Sequence, residues 1–407
     1  MKHCGLLGRK LGHSYSPQIH SMLADYEYLL YEKEPEELEA FIKSGEFDGL
    51  NVTIPYKKSV IPYCDELSDT AKKIGSVNTL VRREDGSLYG DNTDAFGFEA
   101  LLNHSGISPA GKKCLVLGTG GAAVTVCAVL ENLGAAQVIT ISRSGDNNYE
   151  NISNHADAGI IVNATPVGMF PNNGDSVVDL SIFKNLTGVL DVVYNPSRTA
   201  LLLQAEELGI PCACGLYMLV AQAKKSSEDF TGASIPESEI ERIESVLRGQ
   251  MQNIVIVGMP GCGKTTVSNA LGEKLGRSVV DIDAEIVSRA GMEIPEIFEK
   301  FGEEYFRRLE TEVLTDVGKM GGLIISTGGG CVTRDINYPL LHQNGAIVWL
   351  RRDTALLPKD GRPISLKTDL NELFLKRRPC YERFADIVIN NDGTVEDTVR
   401  RIMEEIQ

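Results

Sequence analysis

The segment Gly258-Met-Pro-Gly-Cys-Gly-Lys-Thr265 constrains this chain more than any other. It fits the pattern G-x-x-x-x-G-K-[ST] at every specified position. It follows the apolar run Asn253-Ile-Val-Ile-Val257 and opens a helical stretch that runs to about Leu275. The mechanism of such a loop needs that context: the glycines let backbone N–H groups turn inward onto phosphate, and the helix N-terminus adds its positive end. Gly258, Gly261, Cys262, Gly263 and Thr266 are expected to wrap the phosphates of ATP. Lys264 would reach the β- and γ-phosphates, and the Thr265 hydroxyl would hold Mg2+. A glycine turn without nucleotide is the competing reading, and the flanking strand and helix weigh against it.

The same grammar occurs earlier. Lys113-Cys-Leu-Val-Leu117 reads as a strand, Gly118-Thr-Gly120-Gly121-Ala122-Ala123 as a tight turn of the form G-x-G-x-x-A, and the residues to about Leu133 as a helix. Such a turn alone is a weak signal. The next strand, Gln137–Ile141, ends where an NAD site places an acidic residue for the ribose, and here stand Ser142 and Arg143. An arginine there suits a 2′-phosphate, which favours NADP(H) over NAD(H). Strand, turn and helix twice over predict an α/β chain with parallel sheets. At 407 residues it is too long for one ordinary core. The expected organisation is a small α/β substrate domain over 1–100, completed by helices within about 217–248. A Rossmann domain follows over 101–216, then a helix and linker over 226–252, and a P-loop domain with a parallel sheet over 253–407.

Charge narrows the partners. The formal net charge is −16, unsuited to nucleic acid or anionic membranes. No apolar run approaches the roughly 20 residues of a membrane span. The glycine-broken N-terminus lacks the long apolar core of a signal peptide. A cytoplasmic protein acting on small molecules is expected. The nine cysteines are scattered and form no CxxC pair, so they read as thiols in a reducing compartment; Cys212 and Cys214 alone could begin a metal site, with nothing nearby to complete it. Thirteen of the 20 arginines follow residue 250, which fits anionic ligands there, although solvated helix faces account for most of them.

What accepts the phosphate? Asp281 and Asp283, at i and i+2 near the end of a predicted strand, are expected to point the same way, one towards Mg2+ and one towards an acceptor hydroxyl. Arg307 lies on a probable helix, Gly328-Gly329-Gly330 follows a strand, and Arg362 and Arg377 come later. Together these motifs resemble those of the shikimate kinases across 253–405. The resemblance implies that Asp283 binds the substrate hydroxyls and acts as base, with Asp281 associated with Mg2+. It further implies that Arg307 and Arg377 grip the substrate carboxylate, that the three glycines line the acceptor site, and that Arg362 lies in a lid over ATP. The chain between Trp349 and Arg362 is short for such a lid.

The first part offers Gly12-His-Ser14-Tyr-Ser16-Pro17, Asn51-Val-Thr53 followed by Lys57, Val77-Asn78-Thr79, and Asn92-Thr-Asp94. Each alone passes as a cap or loop. Together they resemble the shikimate dehydrogenases over residues 3–225. That likeness implies that Ser14 and Ser16 bind the substrate carboxylate. Asn51, Thr53 and Asn78 would contact the ring, and Lys57 with Asp94 would form the catalytic pair. Asn163 and Thr165 would lie beside the nicotinamide, with Gly215 and Met218 near it, and Tyr194 and Gln222 would add substrate contacts. The segment from Arg143 to Ile160 is shorter than the family leads one to expect. The combined expectation is a bifunctional enzyme that reduces 3-dehydroshikimate with NADPH and phosphorylates shikimate with ATP and Mg2+. Two rivals are a pair acting on quinate or another hydroxy acid, and a chain in which one half has decayed to a binding module. Such decay should first remove Lys57, Asp94, Lys264 or Asp283, and all four are present.

Overall fold

The computed structural model describes residues 1–12, 14–357 and 369–406. Three sheets organise it, and helices flank them, so the chain is α/β as expected. The first sheet is mixed. It comprises β1 (His3–Gly8), β2 (Glu27–Glu32), β3 (Gly49–Val52), β4 (Glu66–Leu67), β5 (Thr79–Arg82) and β6 (Leu88–Asp91), in the order β2-β1-β3-β5-β6-β4. β1 runs parallel to β2 and β3, whereas β5 is antiparallel to β3 and β6. The two-residue period decides what β3 offers: Leu50 and Val52 join a core with Leu7, Phe47 and Leu80, and Asn51 between them faces the other side.

The second sheet is wholly parallel. Its strands β7 (Lys113–Leu117), β8 (Gln137–Ile141), β9 (Ile160–Asn163), β10 (Gly188–Asp191) and β11 (Cys212–Cys214) lie in the order β11-β10-β9-β7-β8. The chain steps from β7 out to β8 and then returns to the other side of β7, which creates a crevice at the carboxyl ends of the strands. The Gly118 turn opens there. β8 is an edge strand. Between it and β9 stand only a bridge from Ser142 to Asn148 and a 3-10 turn, Ile152–His155, in place of a longer helix. Side chains hold this short segment: Asn148 Oδ1 accepts the N–H groups of Glu150 and Asn151, and Asn151 Nδ2 donates to Asp146 O.

The third sheet, also parallel, comprises β12 (Asn253–Val257), β13 (Val279–Asp281), β14 (Ile324–Ser326), β15 (Gly345–Arg351) and β16 (Ile387–Asn390). Their order is β13-β14-β12-β15-β16. β12 is central and buried at all five positions, as its unbroken apolar sequence requires. The chain divides into two compact units. One holds residues 1–169, 175–194 and 201–246; the other holds 170–174, 195–200 and 247–407. In the first, the helices Thr93–Ser105 and Leu216–Thr231 pack so closely that a Cβ on Gly97 would stand 2.6 Å from Met218 O. The latter helix ends at Gly232, whose φ of 73° stops it, and the helix Ser238–Met251 then leads to β12. All nine cysteines are free, Cys212 and Cys214 among them. No helix among the described residues is long and apolar enough to cross a membrane.

Candidate active sites

In the first unit a cleft of about 350 Å³ opens between the mixed sheet and the parallel one. Ser14, Ser16, Asn51, Thr53, Lys57, Asn78, Asp94, Ala122, Tyr194, Gly215, Met218 and Gln222 all line it. Segments from across the unit deliver them. Ser16 opens the helix Ser16–Leu23 and its N–H donates to Ser14 Oγ at 3.2 Å. Asn51 comes from β3, and the turn after β3 brings Thr53 and Lys57. Asp94 sits in the first turn of the helix Thr93–Ser105, capped by Asn92, whose Oδ1 accepts from Ala95 N. Lys57 Nζ donates to Asp94 Oδ2 at 2.5 Å, and Asn78 Nδ2 donates to Asp94 Oδ1 at 2.9 Å. Both oxygens of Asp94 are thus engaged, which fixes the carboxylate and with it the lysine. Tyr194 meets Tyr15 edge-on at 6.1 Å, and burial raises both phenols above their ordinary pKa. Both therefore stay protonated as donors. The apolar liners Leu6, Val192 and Leu219 carried no sequence signal beyond ordinary core pattern.

The glycine turn Gly118–Ala123 adjoins this cleft. Gly120 is the N-cap of the helix Gly121–Asn132 and has no side-chain cap, so the first N–H groups of that helix remain available. A Cβ on Gly120 would meet nothing within 4 Å, while one on Gly121 would lie 3.7 Å from Lys57 Cδ. An open cradle of N–H groups beside the lysine fits a dinucleotide phosphate. Gly118, at φ 109°, packs against Thr165 and Ala164, where a Cβ would stand 2.8 Å from Thr165 Cγ2. Asn163 Oδ1 accepts from Thr165 Oγ1 at 2.7 Å, and Asn163 Nδ2 donates to Asp191 at 3.0 Å. These residues support the cleft without lining it. Ser142 and Arg143 stand beyond the end of β8, outside the cleft, with Ser142 Oγ accepting from Gly145 N. Gly215 caps the helix Leu216–Thr231.

In the second unit Gly258, Gly261 and Gly263 take φ values of 153°, 85° and 98°. These turn the backbone inward before the helix Lys264–Leu275, which also lacks a side-chain cap. Lys264 Nζ folds back to donate to Gly258 O at 2.9 Å and Met259 O at 3.1 Å. The loop is braced from behind by Asn391, which sequence reasoning missed: its Nδ2 donates to Cys262 O at 2.7 Å and its Oδ1 accepts from Thr398. Thr265 Oγ1 donates to Asp281 Oδ2 at 3.1 Å, which pairs a hydroxyl with a carboxylate where a divalent cation needs oxygen ligands. Thr266 is exposed beside it.

The expectation that Asp281 and Asp283 project side by side from one strand is corrected. β13 ends at Asp281, which is the N-cap of the helix Ile282–Ala290; its Oδ1 accepts from Asp283 N at 3.0 Å and Ala284 N at 3.3 Å. Asp283 therefore belongs to the first helical turn. A capping aspartate outcompetes strand continuation because it satisfies N–H groups that the helix leaves open. Asp283 still reaches the triple-glycine segment, since a Cβ on Gly328 would stand 2.8 Å from Asp283 Oδ1 and 2.9 Å from Glu310 Oε1. Gly330 packs on the Arg307 guanidinium, and Gly329 O accepts from Arg377 Nη1 at 3.1 Å and Tyr381 Oη at 2.6 Å. Arg307 and Arg377 are 5% and 6% exposed, so neither is a solvated surface arginine.

Glu310, wholly buried, pairs with Arg307 at 2.8 Å and was not singled out from sequence. Its place three residues along the helix from Arg307 is the signal that could have found it. Burial pushes the Glu310 carboxyl above the usual range, and Arg307 opposes that. For Arg307, burial lowers the pKa, and Glu310 with Glu303 more than offsets it. Arg362 lies outside the described residues.

Comparison with known proteins follows this division. The shikimate kinase family model matches residues 260–407, and that of the shikimate dehydrogenase substrate binding domain matches residues 6–80. A shikimate dehydrogenase (NADP(+)) of Clostridium beijerinckii is 36% identical over 272 residues, which is 62% of this chain and 100% of that protein. Among solved structures, shikimate dehydrogenase 1 from Peptoclostridium difficile is 38% identical with a TM-score of 0.56, covering 61% of this chain and 98% of its own. The shikimate 5-dehydrogenase of Thermus thermophilus, solved in complex with NADP(H) and shikimate, is 30% identical with a TM-score of 0.55, covering 60% of this chain and 98% of its own.

Proposed function

Because the chain belongs to the shikimate dehydrogenase family and carries a shikimate kinase domain at its C-terminal end, we propose that it performs two consecutive reactions on one carbon skeleton. The first unit reduces 3-dehydroshikimate to shikimate, and the second phosphorylates shikimate to shikimate 3-phosphate. NADPH supplies the hydride to the first reaction, and ATP with Mg2+ supplies the phosphoryl group to the second. The observation that carries this reading is Lys57 held on Asp94 at 2.5 Å within a cleft of hydroxyl and amide groups, beside an open dinucleotide turn.

In the first site Lys57 delivers a proton to the ketone oxygen as it becomes a hydroxyl, and Asp94 holds the ammonium in place. Ser14 and Ser16 take the carboxylate; Asn51, Thr53, Asn78, Tyr194 and Gln222 orient the ring. Arg143, just past the end of β8, pairs with the cofactor's 2′-phosphate in this reading. In the second site Asp283 orients and deprotonates the acceptor hydroxyl. Arg307 and Arg377 hold the carboxylate, and Glu310 braces Arg307. Lys264 exchanges the carbonyls of Gly258 and Met259 for phosphate oxygens, which changes neutral partners for charged ones. Thr265 and Asp281 supply oxygens for Mg2+. The free thiols agree with a cytoplasmic setting.

Separate steady-state assays on the full chain test this. NADP+ reduction should proceed with shikimate and be far slower with quinate; ATP turnover should require shikimate. Lys57→Ala should abolish the first activity and spare the second, and Lys264→Ala the reverse. Loss of both activities in either folded variant would overturn the two-site reading.

A further inference from the structure

A polar chain with a buried middle, Asn51, Thr79, Asn78 and Asp94, runs beneath the dehydrogenase cleft and ends on its proton donor. Asn51 lines the cleft from β3. From β2, two strands away, the Tyr28 hydroxyl donates to Asn51 Oδ1 at 2.7 Å. On its other side Asn51 Nδ2 faces Thr79 Oγ1 at 3.4 Å, and Thr79 Oγ1 donates to Asn78 Oδ1 at 3.1 Å. Asn78 Nδ2 then donates to Asp94 Oδ1, and Asp94 Oδ2 holds Lys57.

Tyr28 is itself fixed. Its ring stacks on His20 at 4.0 Å with planes 11° apart. His20 Nδ1 bonds Tyr26 Oη at 2.5 Å, and Phe230 stacks at 6.0 Å. The imidazole is 1% exposed.

An asparagine side chain has an accepting end and a donating end of nearly equal size, so its neighbours decide which end faces a ligand. A half-buried phenol with its proton in place is a good donor. Bonded to Asn51 Oδ1 at 2.7 Å, where the Ser226 hydroxyl is a more distant donor at 3.5 Å, it fixes that oxygen and leaves Asn51 Nδ2 on the side of Thr79. We propose that Tyr28 is a positioning residue for the dehydrogenase. It sets the polarity of the Asn51 amide, so that the cleft presents a donor to a substrate oxygen and rejects a group that can only donate. Tyr28 touches no substrate in this account; it acts through Asn51. The inference rests on the dehydrogenase reading above.

Tyr28→Phe in the full chain removes the hydroxyl and keeps the ring stacked on His20. The KM for shikimate should rise about tenfold while kcat falls less than about threefold, the size of one lost positioning hydrogen bond. The KM for NADP+ and both kinase constants should not move. A double-mutant cycle separates positioning from general loosening: with Asn51→Ala already present, Tyr28→Phe should raise the KM no further. Asn51→Asp, which keeps the acceptor for Tyr28 and removes the donor, should bind shikimate at least about tenfold more weakly even if Tyr28→Phe folds poorly. An unchanged KM in Tyr28→Phe, multiplicative effects in the cycle, or a tolerated Asn51→Asp would each overturn the inference. If the wild-type chain oxidised no shikimate, the dehydrogenase reading itself would fail. An active wild type with an indifferent Tyr28→Phe would remove this inference alone.

Discussion

Gly215 and Gly330 show how one missing methyl group can serve stability at one position and binding as well at another. A Cβ on Gly215 would stand 2.1 Å from Val192 O, an atom of rigid backbone. Gly215→Ala should therefore destabilise the first unit by about 1–3 kcal/mol, read as a lower thermal midpoint together with loss of dehydrogenase activity. A Cβ on Gly330 would also stand 2.1 Å from its neighbour, but that neighbour is the guanidinium of Arg307, a side chain held by a buried ion pair to Glu310. Gly330→Ala should push Arg307 off the wholly buried Glu310, so it should lower the midpoint and also raise the kinase KM for shikimate about tenfold at constant KM for ATP. An equal rise in both constants would show that the glycine shapes the phosphate loop instead. At this scale the sequence was informative where chemistry is local. The lysine and glycines of Gly258–Thr265 stand out by spacing alone, and Gly258, Gly261 and Gly263 do take the positive φ that such a turn requires. Glu310 offers only its i,i+3 spacing from Arg307, and Asn391, an amide after a strand, offers no such pattern and gains its meaning from what the fold brings to it.

The helix Ser16–Leu23 carries the clearest element-scale consequence. Its His20 is held down to a pKa of about 3 by burial, from an ordinary 6.5, and the Asn51 side chain opposes that shift. The unfolded chain thus takes up a proton below 6.5 that the folded chain refuses until about 3. The sign follows: His20 contributes stability that is present above pH 6.5 and is lost as pH falls through this window. Urea unfolding of the wild type should weaken on acidification more steeply than that of His20→Phe, by about 1.4 kcal/mol per pH unit. Parallel slopes would mean that the imidazole is not buried in neutral form.

Among elements, the strands before both glycine loops were legible because burial on both faces demands unbroken apolar runs, and both now stand inside parallel sheets. The Asp281–Asp283 stretch was misread, since a carboxylate at a strand end also caps a helix and the period-2 reading cannot see the competition. The short segment after β8 was visible as a shortening. Its asparagine latches were not, because they depend on side chains meeting across a loop.

For the whole molecule, the parallel, mixed and P-loop sheets each supply a different part of the chemistry. The mixed sheet and the Rossmann sheet share a cleft within one unit, where neither alone would bring Lys57 beside the glycine turn at Gly121. The third sheet builds its site from its own strands and helices, with Asp283, Arg307, Glu310 and Arg377 converging on one glycine segment. How the product of one site becomes the substrate of the other is chemistry that the two readings share. The most direct test gives the full-length protein 3-dehydroshikimate, NADPH, ATP and Mg2+ and follows product by phosphorus NMR alongside NADPH absorbance. The account predicts shikimate 3-phosphate, with one NADPH oxidised and one ATP consumed for each molecule formed. With Lys57→Ala the product should appear from added shikimate and not from 3-dehydroshikimate. Oxidation of NADPH without any phosphorylated product, from either starting compound, would contradict it.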